Sequence, residues 1–149
     1  MFIKSKKSTK VLNLKKLNEV VLRKKGNRLC AHDNHHDEDQ GMLIMQKKNY
    51  FHKPKKNLTS NQTFVIISGK LLVLTLDKRG KILKKTLLSK KDNLICRIKK
   101  NTFHCDIALK NNTLHYETTT HSFLKRKLVY LNQNSYKSFQ KNLKKIISV

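Results

Sequence analysis

Gln62-Thr63-Phe64-Val65-Ile66-Ile67-Ser68-Gly69-Lys70-Leu71-Leu72-Val73-Leu74-Thr75-Leu76, followed by Asp77-Lys78-Arg79-Gly80-Lys81-Ile82-Leu83, decides the fold. Two runs rich in aliphatic and β-branched residues, each too short for a helix, are separated by Gly69 and read as strands over 63–68 and 71–77. The Asp77-Lys78-Arg79-Gly80 segment then returns the chain, with Gly80 free to take the positive φ that closes a hairpin. Working outward, further short runs lie at 42–45, 93–98, 103–109 and 113–118. Strands this short, divided by turn residues, predict an all-β antiparallel barrel or sandwich rather than βαβ units.

Helical periodicity is confined to the flanks. Val11, Leu12, Leu14, Leu17, Val20, Val21 and Leu22 recur near the helical period, with lysines on the other face and Gly26 as a stop, and predict a helix over 11–25 behind a basic, flexible 1–10. Tyr136, Phe139, Leu143, Ile146 and Ile147 predict a second, lysine-faced helix over 135–147 that caps the barrel or docks on a partner. The 149 residues therefore read as a single domain, with the barrel over 40–123.

Lys and Arg number 34 against 9 Asp and Glu, for a net charge of +25. Of the cations 29 are Lys and 5 Arg, with 14 Asn, a mixture that an AT-rich coding bias produces. Arginine, the residue suited to bidentate phosphate and base recognition, is scarce, and the lysines are scattered, so nucleic acid is expected only as a non-specific partner and a nucleic-acid-binding barrel is the weaker alternative. Cys30, Cys96 and Cys105 are odd in number and show no C-x-x-C spacing, which predicts neither a disulfide framework nor a zinc ribbon and suits a reducing compartment. No secretory or membrane-spanning apolar run occurs, so a cytoplasmic protein with no membrane partner is expected. Nucleophilic-serine motifs, phosphate-cradling glycine loops and nucleotide fingerprints are absent.

The Gln62 to Leu74 block with its Asp77-Lys78-Arg79-Gly80 hairpin resembles the first motif of cupins, and more narrowly the WbuC family of small cupins found with surface-polysaccharide genes. Ile98-Lys99-Lys100-Asn101-Thr102-Phe103-His104 is similar to the second motif. Arg28 through His36 and Asp39-Gln40 resemble the family's lead-in, so the likeness spans about residues 12 to 123. It implies a cupin jelly-roll barrel, a homodimer, and a setting in surface-polysaccharide or nucleotide-sugar metabolism.

Such cupins offer H-x-H and Glu from the first motif and His from the second, a donor set for a divalent transition metal such as Fe, Mn, Zn or Ni. Here Lys55 and Asn57, or with a one-residue shift His52 and Pro54, fall on the H-x-H positions; Gln62 replaces the carboxylate; only His104 matches. An ammonium has no lone pair to give a metal, and an amide brings no charge. The expectation is a degenerate site without metal or other cofactor, any metal falling to His104 and His52. A pocket of His52, Lys55, Asn57, Gln62 and His104 is then expected to hold a small anionic or sugar ligand, as an accessory binding protein rather than an enzyme. The alternative is a metal-independent sugar isomerase or epimerase with His104 as base and Tyr116 as its partner. His104 is expected to face the lumen and Cys105 the opposite side. His32, His35, His36, Asp37 and Asp39 read as a solvated loop, their spacing matching no tight metal template.

Overall fold

The computed structural model describes Leu12, Lys15 and residues 27–147. The helix expected over 11–25 and the basic 1–10 segment lie outside the described residues, apart from Leu12 and Lys15. Ten strands follow: β1 (Asn27–Cys30), β2 (Asp39–Gln46), β3 (Lys55–Asn57), β4 (Gln62–Ser68), β5 (Leu71–Leu76), β6 (Ile82–Leu88), β7 (Ile95–Ile98), β8 (Phe103–Ala108), β9 (Thr113–Thr120) and β10 (Leu128–Tyr130). A 3₁₀ turn (Phe123–Lys125) precedes β10, and a helix (Gln133–Ile147) follows it, beginning two residues earlier than its periodicity predicts.

Two five-stranded antiparallel sheets face each other, ordered β1-β2-β9-β4-β7 and β10-β3-β8-β5-β6. The pairings nest: β5 with β6, β4 with β7, β3 with β8, β2 with β9. The chain is thus one long hairpin, its tip at Asp77–Gly80, rolled up so that alternate pairs fall in opposite sheets, which is a jelly roll. At the tip the Asp77 carboxylate accepts the Arg79 and Lys81 amides at 2.8 and 2.9 Å, and Gly80 takes φ +82° as its sequence requires. The barrel is wider in sequence than 40–123, since β1 and β10 extend its two sheets.

Alternation decides what each strand buries. In β4, Gln62, Phe64 and Ile66 point inward while Ile67 is exposed. β5 is apolar on both sides because both are covered. Leu71 and Val73 meet Phe64, Ile66, Leu88 and Ile98 between the sheets. Leu72, Leu74 and Leu76 meet Phe139 and Leu143 of the C-terminal helix, together with Cys105, Ile107 and Leu131. Asn132 caps that helix, its Oδ1 accepting the Ser135 amide at 2.8 Å, and Ser135 Oγ donates to the Lys78 carbonyl at 2.9 Å, tying helix to hairpin tip. The outer apolar row of β5 and β8 is therefore closed by the chain's own helix.

Candidate functional site

The apolar filling stops halfway across the barrel. Beyond Phe64 and Val73, the inward positions of β1, β2, β9, β8 and β3 are largely polar, and between them lies a cavity of about 570 Å³. Register places these groups. Arg28 lies beside Ile44, Met42 beside Glu117 and Glu117 beside Phe64 in one sheet. In the other, Lys55 is opposite His104, and Asp106 is two residues along the same strand. The cavity wall comprises Arg28, Gln40, Gln46, His52, Lys55, Asp106, Glu117 and Arg126, with Met42 and Ile44 as its apolar floor. Tyr50, Phe123 and Tyr130, each about half exposed, line it as well.

Some of these side chains hold one another. Gln46 Nε2 donates to Asp106 Oδ2 at 2.6 Å, Arg28 Nη2 to His52 Nε2 at 3.4 Å and Arg126 Nη2 to Gln40 Oε1 at 3.5 Å, while the Arg126 guanidinium lies 5.4 Å over the Phe123 ring. Glu117 is only 8% exposed. Burial pushes its carboxyl above the ordinary range, the negative charge of Asp106 adds to this, and Lys55, Arg28 and Arg126 pull the other way. Burial likewise holds His52 and His104 below their ordinary value, so both rings are neutral near pH 7. His115 has no exposed surface, and neither ring nitrogen meets a hydrogen-bond partner among the described residues.

The expected site residues divide. His52 and Lys55 line the cavity. His104 faces the barrel interior and Cys105 the helix, as alternation predicts, but His104 does not reach the cavity. Its Nδ1–H donates to the Thr102 carbonyl and its Nε2 meets the Gln62 side-chain amide, both at 2.9 Å, a link that ties the two sheets. Asn57 is not a pocket residue. Its side-chain oxygen accepts the Thr59 and Ser60 amides at 3.1 and 3.2 Å, folding the loop after β3. Tyr116 is not a partner for His104 either. By alternation with Glu117 it points out of the opposite face, packs with Leu29, Leu43 and Leu114, and lies over Gly41, where a Cβ would meet its hydroxyl at 2.0 Å.

The pocket also keeps carboxyls after all. Gln62 brings only an amide, but Asp106 and Glu117 bring two carboxyls that the sequence pattern did not single out. Their signal was parity: Asp106 shares an inward face with His104, and Glu117 with His115.

A divalent metal fits this donor set poorly. His104 Nε2 is engaged by the Gln62 side chain at 2.9 Å, the facing strand brings the Lys55 ammonium, and Asp106 is held by Gln46. Among the described residues no three His, Cys, Asp or Glu side chains converge to hold an ion. The His32 to Asp39 segment is a self-bonded loop: Asp37 Oδ2 accepts the Asp33 amide at 2.5 Å, Gln40 Nε2 donates to the Asp37 carbonyl at 2.8 Å, and His32 Nδ1–H donates to the Gly41 carbonyl at 2.9 Å.

No protein-family model matches the chain. No curated protein matches it in sequence either. Solved structures do match. An uncharacterized conserved protein with a double-stranded β-helix domain from Klebsiella pneumoniae subsp. pneumoniae superposes with a TM-score of 0.63 at 10% identity, over 89% of this chain and all (100%) of that one. The fold is that of the cupins. CapF, solved with the inhibitor 3-isopropenyl-tropolone, matches this cupin fold with a TM-score of 0.60 at 16% identity, over 73% of this chain and 33% of CapF. KdgF from Halomonas sp. matches with a TM-score of 0.50 at 14% identity, over 63% of this chain and 80% of KdgF. The chain spans only 24% of the coconut allergen cocosin, another cupin-fold neighbour, at 13% identity. Identities this low speak to the fold and leave activity to the site itself. Among the described residues no helix is long and apolar enough to cross a membrane.

Proposed function

We propose that the protein binds a small anionic sugar in the polar half of its cupin barrel, through side chains rather than a metal ion. The observation that supports this reading is the sharing of one cavity by Arg28, Lys55 and Arg126 with the buried carboxyls of Asp106 and Glu117. Cations alone would suit any anion. Set beside carboxyls and the amides of Gln40 and Gln46, they suit a molecule with a carboxylate or phosphate at one end and hydroxyls along its length. The aromatic side chains of Tyr50, Phe123 and Tyr130 offer apolar faces for the C–H surface of a sugar ring, and about 570 Å³ lies within the range of small-molecule sites, roughly 300 to 1,000 Å³. The WbuC resemblance supplies the proposed setting, an accessory binding role in surface-polysaccharide or nucleotide-sugar metabolism, in the cytoplasm and as a homodimer.

The test is calorimetric titration of the full chain with D-glucuronate and, separately, D-glucose. The acid is expected to bind and the neutral sugar not, with Arg28→Met weakening the acid at least about tenfold, roughly 1.4 kcal/mol. Equal binding of both sugars, or binding of neither, sinks the reading.

A further inference from the structure

Two groups of opposite charge face the cavity without pairing. Lys55, on β3, and Glu117, on β9 of the opposite sheet, both line it. Neither the Lys55 ammonium nor the Glu117 carboxyl makes a hydrogen bond or ion pair with the other, or with any other described residue. Asp106, two residues along β8 from the His104 that Lys55 faces, gives a carboxylate oxygen to Gln46 Nε2 at 2.6 Å and makes no ion pair with Lys55. An ion pair would offset part of the desolvation cost of both groups; held apart in one cavity, each is left for a ligand to satisfy.

Charge and hydrogen count decide what fits between them. On the Lys55 side, where Arg28 and Arg126 share the wall, an anion fits. The Glu117 side calls for a cation, and the arginines do not supply it: Arg28 reaches His52 at 3.4 Å and Arg126 reaches Gln40 at 3.5 Å. Asp106 places a second negative charge within reach of Glu117, and burial shifts the empty Glu117 carboxyl toward its neutral form, a shift that a cation beside it reverses. A sugar hydroxyl brings one hydrogen and no charge, whereas an ammonium brings three hydrogens and the missing positive charge.

We propose that the ligand of this cavity is an amino sugar acid, its carboxylate held by Lys55 and its protonated amine by Glu117. This rests on the binding reading above and narrows its ligand class from an anionic sugar to a zwitterionic one. Because Lys55 and Glu117 stand on opposite sheets, the two ligand charges belong on opposite sides of the ring. In a hexuronate pyranose, C2 lies across the ring from C5, which bears the carboxylate, so an amine at C2 has the required placement.

The experiment is calorimetric titration of the full chain with 2-amino-2-deoxy-D-glucuronate, its N-acetyl derivative and D-glucuronate. The amino acid sugar is expected to bind at least about tenfold more tightly than D-glucuronate, the effect of one charge-assisted hydrogen bond, and the N-acetyl derivative, which keeps the nitrogen without its charge, to lose that gain. Glu117→Gln should bring the affinity ratio of the amino sugar to D-glucuronate down to about one, whereas Lys55→Met should weaken both and keep the ratio. Glu117→Asp, which retracts the carboxyl by one methylene, should reduce the ratio and serves as the readout if the Gln variant folds poorly. Equal affinity for D-glucuronate and its amino counterpart overturns the inference and leaves the binding reading intact; binding of none of the three overturns both. A preference for the amine that survives undiminished in the Glu117 variants places the amine elsewhere and likewise overturns the inference.

Discussion

The two ends of this barrel are built by one alternation of inward and outward residues but filled on opposite principles. On the side formed by β4, β5, β6 and β7, Phe64, Ile66, Leu71, Val73, Leu88 and Ile98 close the space between the sheets. At the other, equivalent inward positions carry Arg28, Lys55, Asp106 and Glu117 around a cavity. The difference teaches where stability and chemistry reside. A packed end supplies the apolar burial that holds the sheets together, which lets the other end keep buried charges that protein contacts satisfy poorly.

The sharpest way to break the comparison is to hollow the packed end. Phe64→Ala removes a fully buried ring and is expected to cost about 3 to 5 kcal/mol, read from the urea midpoint. Gly80→Ala attacks the tip. Its φ of +82° disfavours a side chain and a Cβ would meet the Ser135 carbonyl at 2.2 Å, so a loss of about 1 to 3 kcal/mol is expected by the same assay.

Changes in the polar end should act through pH instead. His52, His104 and His115 all sit below their ordinary value of 6.5, mainly through burial, so the unfolded chain binds more protons than the folded one. Their contribution is full above pH 6.5 and is lost as pH falls; the urea midpoint should drop from pH 7 to pH 5, less so in His115→Phe. Glu117 runs the other way. Raised above its ordinary 4.5, it binds its proton more tightly when folded, so stability declines as pH rises from 4.5 through the shifted value. Glu117→Gln should therefore match the parent protein near pH 4 and gain on it toward pH 7. A gain that shrinks with rising pH would mean that Glu117 is stabilised by the surrounding cations.

The packed end was also the legible one. Apolar runs at 63–68 and 71–77, the Asp77–Gly80 turn and the period of the C-terminal helix all speak in residues whose burial gives them their pattern. Arg28, Lys55-Lys56-Asn57 and the Leu128–Tyr130 edge do not, and β1, β3 and β10 were missed for that reason. In β1 and β3 the residue that faces the cavity is a cation, Arg28 or Lys55, where a core strand carries leucine, and β10 is only three residues long. The feature that makes the site therefore hides the strands that build it. Glu117 and Asp106 escaped by a related route: a single acid in an apolar strand reads as an outward residue until register shows its parity.

The nested pairing has a consequence for the order in which the molecule is made. Leu76 finds Ile82 across one turn, whereas Asp39 must find Thr120 across most of the chain, and Arg28 and Arg126 converge from its two extremes. Loop-closure entropy and contact order favour the near pairs, so the hairpin tip and the sheet around it condense first. During synthesis the chain owns a hydrophobic nucleus well before it owns a binding site, and the cavity comes into being only when β9, β10 and Arg126 have been added to it.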